Sequence, residues 1–327
     1  MPTRDLALPP RDPNTELSVV IPAYNEEALL DELYRRLVGA LDPLGLDYEV
    51  ILVNDGSQDR TRELLDGFAA RNPRFKAIHF SRNFGHQAAV TAGLDHAAGQ
   101  AVLVMDADLQ DPPELAGPLL AKLREGWQVV YGVRRKRKEG PHKRLAYWAY
   151  YRMLKLVTNV QMPLDAGDFA ILDRRVVDAL RALPERNRFV RGIRSWVGYR
   201  QTGLEYERDA RYAGEVKYTF SKLVRLALDG IISFSYAPLR LAVYLGFGFS
   251  AFALLGVVFW PVYKLAFGVD VPGWTSLIMV ISFMGGVQLL TLGLIGEYVS
   301  RIYDEVKQRP VYIVAERANF PEPGVGG

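Results

Sequence analysis

Short apolar runs alternate with amphipathic stretches over the first third of the chain. "LSVVIPAY" from Leu17, "YEVILVND" from Tyr48, "FKAIHF" from Phe75 and "AVLVMDAD" from Ala101 read as strands. Between them the spacing predicts helices over about 26–41, 60–70 and 88–97. Strand and helix in regular alternation give a mainly parallel sheet with right-handed crossovers. In such a sheet ligands gather beyond the carboxyl ends of the strands, so the chemistry is expected just after each run.

The pattern changes after residue 217. Lys217–Tyr236 carries Phe220, Leu223, Val224, Leu226, Ala227, Ile231 and Phe234 on one broad helical stripe with Lys222 and Arg225 interleaved, as an interfacial or an ordinary domain helix would. Leu241–Tyr263 and Trp274–Gly296 contain no charged residue, and each has roughly the 20 residues of a membrane helix. Arg240 precedes the first run, and Arg301, Lys307 and Arg309 follow the second, so the positive-inside tendency puts both flanks in the cytoplasm. Trp260, Tyr263, Trp274 and Tyr298 stand near the ends, where headgroups suit amphipathic rings, and Pro261 is tolerable there. "RPVYIVAERANF" then offers a last strand-like run, to pair with another edge or another subunit, before a frayed tail. These shifts divide the chain into a flexible start (1–16), a catalytic domain (17–213), juxtamembrane helices (214–238), two transmembrane helices (239–298) and a cytoplasmic tail (299–327).

Composition narrows the possibilities. The 327 residues are 49% hydrophobic and 24% charged, as in a folded protein, and the net charge of +3 does not suggest nucleic acid as a partner. Cysteine is absent, which excludes disulfides, thiolate metal sites and a cysteine nucleophile. The first fifteen residues lack an apolar core of signal-peptide length, so the front of the protein is expected to stay in the cytoplasm.

Three strand ends carry unusual polar residues. In "PAYNEE", Asn25 is placed to cap the following helix and the glutamates suit its positive end. In "NDGSQDRT", Gly56 permits a tight turn and Ser57 or Asp59 can start the next helix. Asp55 is then left without a structural duty and is available to a base or ribose. In "DADLQDPPEL", Asp106, Asp108 and Gln110 would share one face of a continuing strand. Two carboxylates and a carbonyl oxygen suit Mg²⁺ or Mn²⁺ shared with substrate phosphates, although Asp-x-Asp alone is also common in turns.

Other signals are absent. No G-x-G-x-x-G follows the first strand and no P-loop occurs. The four histidines show no zinc spacing, and His86 in "SRNFGHQAA" reads as an ordinary helix-start residue in a promising loop. Further on, "GVRRKRKEG" is a basic loop for solvent or for anionic headgroups, and Asp168 sits among apolar neighbours in "LDAGDFAILDRR".

"VVIPAYNEE", "VNDGSQDRT", "SRNFGHQAA", "DADLQDPPE", "GDFAILDRR" and the Arg211–Tyr218 stretch, in this order and followed by two apolar runs, resemble the polyprenyl-phosphate glycosyltransferases of glycosyltransferase family 2. That group includes bactoprenol glucosyltransferases and dolichol-phosphate mannose synthases. The resemblance implies a GT-A fold, a nucleotide-sugar donor and a polyprenyl (undecaprenyl) phosphate acceptor in the inner membrane, with the catalytic domain facing the cytoplasm.

By that resemblance Pro22, Ala23, Tyr24, Glu26, Asp55 and Asp106 hold the nucleotide. Asp106, Asp108 and Gln110 hold Mg²⁺ or Mn²⁺, and Arg134, Arg211 and Lys217 hold the acceptor phosphate. Asp106, Asp108 and Asp168 form the catalytic set, Asp168 as base or organiser. UDP-glucose is the expected donor. A lipid phosphate oxygen is already anionic near neutral pH, so single displacement with inversion is expected and Asp168 more plausibly orients than abstracts a proton. A processive polysaccharide synthase is the nearest rival, but "RGIRSW" lacks the Gln-x-x-Arg-Trp motif of those enzymes. A non-catalytic nucleotide-binding scaffold would have no need of the aspartate row. Self-association is expected through the apolar helices, where Gly246, Gly248, Gly285, Gly286 and Gly293 allow close contact.

Overall fold

The computed structural model describes residues 12–134, 166–186, 188–207, 237–267 and 273–321, some positions of the two longest helices by backbone alone. The chain divides into two units, one built from the regions before residue 218 together with the C-terminal segment from Arg309, the other chiefly from Tyr218–Gln308.

The first unit is an eight-stranded sheet. Its strands are β1 (Leu17–Ala23), β2 (Tyr48–Asn54), β3 (Phe75–Phe80), β4 (Ala101–Val104), β5 (Val129–Arg134), β6 (Ala166–Asp173), β7 (Gln201–Tyr206) and β8 (Val314–Ala318). They lie in the order β7-β5-β6-β4-β1-β2-β3-β8. The strands β4, β1, β2 and β3 run parallel, as expected. β6 enters antiparallel between β4 and β5, and β8 closes the far edge antiparallel to β3, so the sheet is mixed.

Helices α1 (Leu30–Leu41), α2 (Thr61–Arg71), α3 (His86–His96), α4 (Ala116–Arg124), α5 (Arg174–Ala182) and α6 (Val190–Trp196) complete this unit. Leu30, Leu33, Leu37 and Leu41 of α1 and Leu65 and Phe68 of α2 join one continuous core with Leu17, Val19, Ile21, Val50 and Leu52. On the opposite face α3 packs on β1 and β2. Burial on both faces is why all seven residues of β1 and of β2 are buried, and why those runs read as nearly unbroken apolar sequence.

Two polar residues interrupt these runs, and both are satisfied. Ser18 donates to Glu49 (2.5 Å), which also accepts from the Ala98 amide (2.7 Å) and from Lys76 (2.6 Å). The Gly99 amide donates to Ser18 Oγ at 2.8 Å, binding the start of β4 to β1. A buried carboxylate with this many partners costs far less than a bare one.

The strand-like run after residue 309 is β8. It pairs with the edge of its own chain, Ala77 opposite Ala318. Arg62 pairs with Glu316, and the Asn319 side chain donates to the Ala69 carbonyl (2.6 Å) and the Phe75 carbonyl (2.8 Å). Here His96 is buried against the rings of Tyr312 and Phe320, its Nδ1 at 2.8 Å from the Ala92 carbonyl. Burial, with Arg317 and Arg181 nearby, pulls its pKa down to about 4.

The unfolded chain therefore binds a proton near pH 6.5 that the folded protein refuses until about pH 4. The stability advantage of wild type over His96→Gln should shrink by up to about 3 kcal/mol as pH falls through that window, read as the gap between their thermal midpoints.

The second unit contains α7 (Ala237–Phe267) and α8 (Trp274–Lys307), which touch through an edge-to-face pair, Phe249 and Phe283. Each uncharged run of the sequence lies inside one of these helices, 31 and 34 residues long. Among the described residues no helix is long and apolar enough to cross a membrane. Large apolar side chains are nonetheless exposed on both, including Phe252 at 77% and Leu290 at 77%. At Gly246, Gly248, Gly285, Gly286 and Gly293 nothing stands within 4 Å of where a Cβ would be, so none of the five serves packing among the described residues.

Candidate functional site

Because β4, β1 and β2 are parallel neighbours, their carboxyl ends deliver 105–111, 22–27 and 54–60 to one edge of the sheet. The loops after β1 and β2 are laced together. Asn25, at φ +55°, does not cap a helix: its amide donates to Ser57 Oγ (3.0 Å) and its side chain accepts from the Gln58 amide (2.9 Å). The Glu26 amide donates to Thr61 Oγ1 (2.9 Å), the Glu27 amide to Asp59 (3.2 Å), and Glu27 accepts from the Arg60 amide (3.0 Å). With these residues held in loop bonds, α1 starts at Leu30 rather than near Glu26. Asp59 accepts from the Thr61 amide at 3.0 Å, one residue before the N-cap of α2, Arg60, which has no side-chain cap of its own. Pro22 and Ala23 end β1, and Tyr24 stands 43% exposed beside them.

Asp55 does have a structural duty, contrary to the sequence expectation. It is buried, and its two oxygens accept from the Phe84 amide (2.7 Å) and the Gly85 amide (2.9 Å) of the loop after β3. A carboxylate has about four acceptor positions, so two remain for a ligand.

The aspartate row is not a strand. β4 stops at Val104, the Met105 amide still reaches the Val20 carbonyl (3.1 Å), and the chain then turns through Leu109 at φ +57°. Asp108 Oδ1 accepts from the Gln110 amide (3.1 Å), which holds the turn. Asp111 is buried and accepts from the Tyr206 hydroxyl at the end of β7, so it belongs to the framework. Asp106 and Asp108 are grouped by a turn and not, as strand alternation would have it, by a pleat.

Asp168 reaches the same place from β6, whose antiparallel course sets its first residues beside the end of β4. His86, at the start of α3, lies with Nε2 at 3.7 Å from both Asp106 and Asp168. Arg191 of α6 approaches Asp168 at 3.4 Å. Arg194, one turn later, is wholly buried beneath, facing the Gly167 carbonyl and the Tyr131 ring. The Gln87 side chain accepts from the Val190 amide (2.9 Å) and ties α3 to α6.

These charges divide unequally. Burial pushes the Asp106 carboxyl up to about 6; His86 pulls it down, but Asp168, Asp111 and Asp108 push further. Burial pushes Asp168 up as well, yet the ion pairing with His86 and the charges of Arg191 and Arg194 outweigh that and hold it well below the usual carboxylate range. For His86 burial pulls down, and Asp168, Asp106 and Asp55 more than compensate, so it stays above the ordinary histidine value. Complete burial brings Arg194 down to about 10, still charged at neutral pH.

His86, Arg191 and Arg194 join this cluster although the sequence reading gave none of them a site role, noting His86 only as a helix-start residue in a promising loop. The strand-end rule that singled out Asp55 and Asp106 applies equally to His86 after β3. Two arginines one turn apart in "RGIRSW" are a weaker signal. Of the expected acceptor-phosphate residues, Arg134 ends β5 at this sheet edge, whereas Arg211 and Lys217 lie outside the described residues.

Among the described residues no three His, Cys, Asp or Glu side chains form a ready metal site. The donor chemistry nevertheless fits a hard divalent ion: the carboxylates of Asp106 and Asp108 and the amide carbonyl of Gln110, with other carboxylates near enough to Asp106 to raise its pKa.

Comparison with known proteins bears on this site. The family described as "Glycosyl transferase family 2" matches residues 18–181. An uncharacterized glycosyltransferase of Bacillus subtilis, YkcC, is 48% identical over 91% of this chain and 93% of its own length. An uncharacterized glycosyltransferase of Synechocystis, sll0501, is 47% identical over 92% and 95%. A prophage-derived bactoprenol glucosyl transferase of Shigella flexneri is 39% identical over 91% and 97%.

Proposed function

The chain belongs to glycosyl transferase family 2 and is a glycosyltransferase of α/β fold, and from that premise we propose that it moves a sugar, glucose from UDP-glucose, onto undecaprenyl phosphate. The observation that carries this reading is the cluster at the strand ends, where Asp106, Asp168, His86 and Arg191 converge beside the laced loops of β1 and β2. The acceptor follows the bactoprenol glucosyl transferases, which this chain matches over nine-tenths of its length.

The nucleotide is held by the strand-end residues Pro22, Ala23, Tyr24, Glu26 and Asp55, with Asp106 at the pyrophosphate. Asp106, Asp108 and Gln110 would hold Mg²⁺ or Mn²⁺, which when bound neutralises charge on the departing nucleoside diphosphate as a Lewis acid. A phosphate acceptor oxygen needs no general base. Asp168, ionised and paired with Arg191, is a poor proton acceptor and fits an orienting role for His86 and the sugar. His86, whose pKa three neighbouring carboxylates raise against the pull of burial, adds positive charge in its protonated form where the leaving group's charge grows. Attack from the face opposite that group inverts the anomeric carbon. Arg134, with Arg211 and Lys217, receives the lipid phosphate, for which guanidinium forks are suited.

A lipid acceptor requires access to a bilayer. The uncharged runs inside α7 and α8 and their exposed Phe and Leu side chains support two membrane spans, with Arg240, Arg301, Lys307 and Arg309 on the cytoplasmic side. Self-association of the helices is part of the same reading.

The test is transfer of labelled sugar from a panel of UDP- and GDP-sugars to undecaprenyl phosphate by the detergent-purified full chain, with Mn²⁺ or Mg²⁺ and with EDTA. A glycolipid formed from UDP-glucose and suppressed by EDTA is expected. Glycolipid from another donor would correct the sugar; a polysaccharide product would replace the reading with a processive synthase.

A further inference from the structure

The C-terminal segment does more than cover an edge. β8 pairing ends at Phe80 opposite Val314, with an irregularity between His79 and Phe80. Beyond it, the buried Tyr312 ring stacks on Phe80, centroids 5.2 Å apart and planes 13° from parallel, and its hydroxyl donates to Asp95 at 3.0 Å. The Ser81 amide donates to the Ile313 carbonyl at 3.1 Å. Ring and backbone together thus clamp residues 80 and 81, where the loop to α3 begins.

From there the contacts run to Asp55. Phe80 meets Phe84 edge-on at 5.6 Å, and the Arg82 guanidinium lies 4.0 Å over the Phe84 ring. Phe84 and Gly85 give Asp55 its two amide hydrogen bonds. Gly56, at φ +68°, sits so close to this loop that a Cβ would be 2.4 Å from the Arg82 carbonyl carbon. The same strand acts along a second line: His79 meets Asn54 at 3.1 Å, and Asn54 accepts from the Ser57 amide at 2.9 Å. The turn that carries Asp55 is therefore set against a loop whose root is held by residues more than 200 positions later in sequence.

We propose that Tyr312 is a positioning residue for the donor: stacked on Phe80 and tied to Asp95, it fixes the 81–85 loop that orients Asp55 toward the nucleotide. This rests on the reading of Asp55 as a nucleotide ligand. A contact chain of packed rings and short hydrogen bonds couples sites only if one end biases the other, so the test measures that coupling.

The full chain and its Tyr312→Ala, Tyr312→Phe, Phe84→Ala and Asp55→Asn variants are compared for UDP and GDP affinity, for donor and lipid KM, and for hydrogen exchange at the Phe84 and Gly85 amides. Tyr312→Ala is expected to weaken nucleotide binding and raise donor KM about tenfold, with kcat and lipid KM within about twofold and faster exchange at both amides. Tyr312→Phe, which keeps the ring, should stay within about twofold. In an Asp55→Asn background Tyr312→Ala should add less than about twofold. Phe84→Ala should raise donor KM alike and carries the test if Tyr312→Ala does not fold.

Equal shifts of donor and lipid KM, or a lowered melting temperature alone, would make Tyr312 an edge cover and overturn the proposal. Weaker nucleotide binding in Asp55→Asn but not in Tyr312→Ala or Phe84→Ala overturns the positioning role alone. Unchanged binding in Asp55→Asn overturns the nucleotide reading, and the proposal with it.

Discussion

Asp106→Asn is expected to lower sugar transfer by about a thousandfold, roughly 4 kcal/mol of barrier, while making the ion-free protein more stable near neutral pH. Asparagine keeps the volume but removes the charge that a divalent ion needs. The stability gain has the opposite origin. With its folded pKa raised from 3.8 to about 6, Asp106 is easier to ionise in the unfolded chain, so its burden grows from about pH 4 and is complete above about pH 6. A third of the side chain meets solvent, which screens the effect and leaves a gain of about 1 kcal/mol. Transfer assays with Mn²⁺ and thermal unfolding in EDTA at pH 4.5 and 7.5 measure the two halves. Transfer within tenfold of wild type would remove Asp106 from the site. Loss of transfer together with a gain in stability would mark Asp106 as a residue that costs stability for the sake of chemistry.

Gly99→Ala is expected to destabilise the catalytic unit by about 3 kcal/mol or more, a fall of several degrees in melting temperature. A Cβ there would stand 2.5 Å from the Ser18 amide nitrogen and 2.8 Å from both the Leu17 carbonyl carbon and Ser18 Oγ. Two of these three neighbours are backbone atoms of the central strand and cannot rotate away. The shift would also break the Gly99 amide bond to Ser18, and with it the support of the buried Glu49. Thermal unfolding of the purified variant beside Gly126→Ala gives the measure. Gly126, at φ +101° with open space around it, would show backbone strain without collision. A Gly99→Ala midpoint equal to wild type would mean that β1 and β4 are not locked here.

What could be read from sequence follows the range of the interactions concerned. β1 to β4 were readable because burial on both faces leaves a local apolar signature, and α2 and α3 fell within two residues of expectation. α1 was misjudged at its start because Asn25, Glu26 and Glu27 bond across to the β2 loop, a partner that no local rule supplies. β7, only partly buried for most of its length, gave no clean alternation. The approach of Asp168 to Asp106 depends on β6 entering the sheet antiparallel, a pairing between segments about seventy residues apart. The aspartates themselves were evident from their place at the end of an apolar run, but their arrangement was not. That Asp55 also has a structural duty was hidden for the same reason, since its partners come from a different loop.

The sheet also sets a schedule for biosynthesis. β3 is made early, yet its free edge is paired only when β8 emerges, with Ala77 waiting for Ala318 across two long apolar helices. During that interval the nascent chain carries an open strand edge beside a finished core, the kind of surface on which chains add to one another. Both long helices, α7 and α8, must therefore be synthesised before the catalytic unit can be closed. A ribosome stalled between the helices and β8 would hold a chain with its central strands assembled and its aggregation-prone edge uncovered.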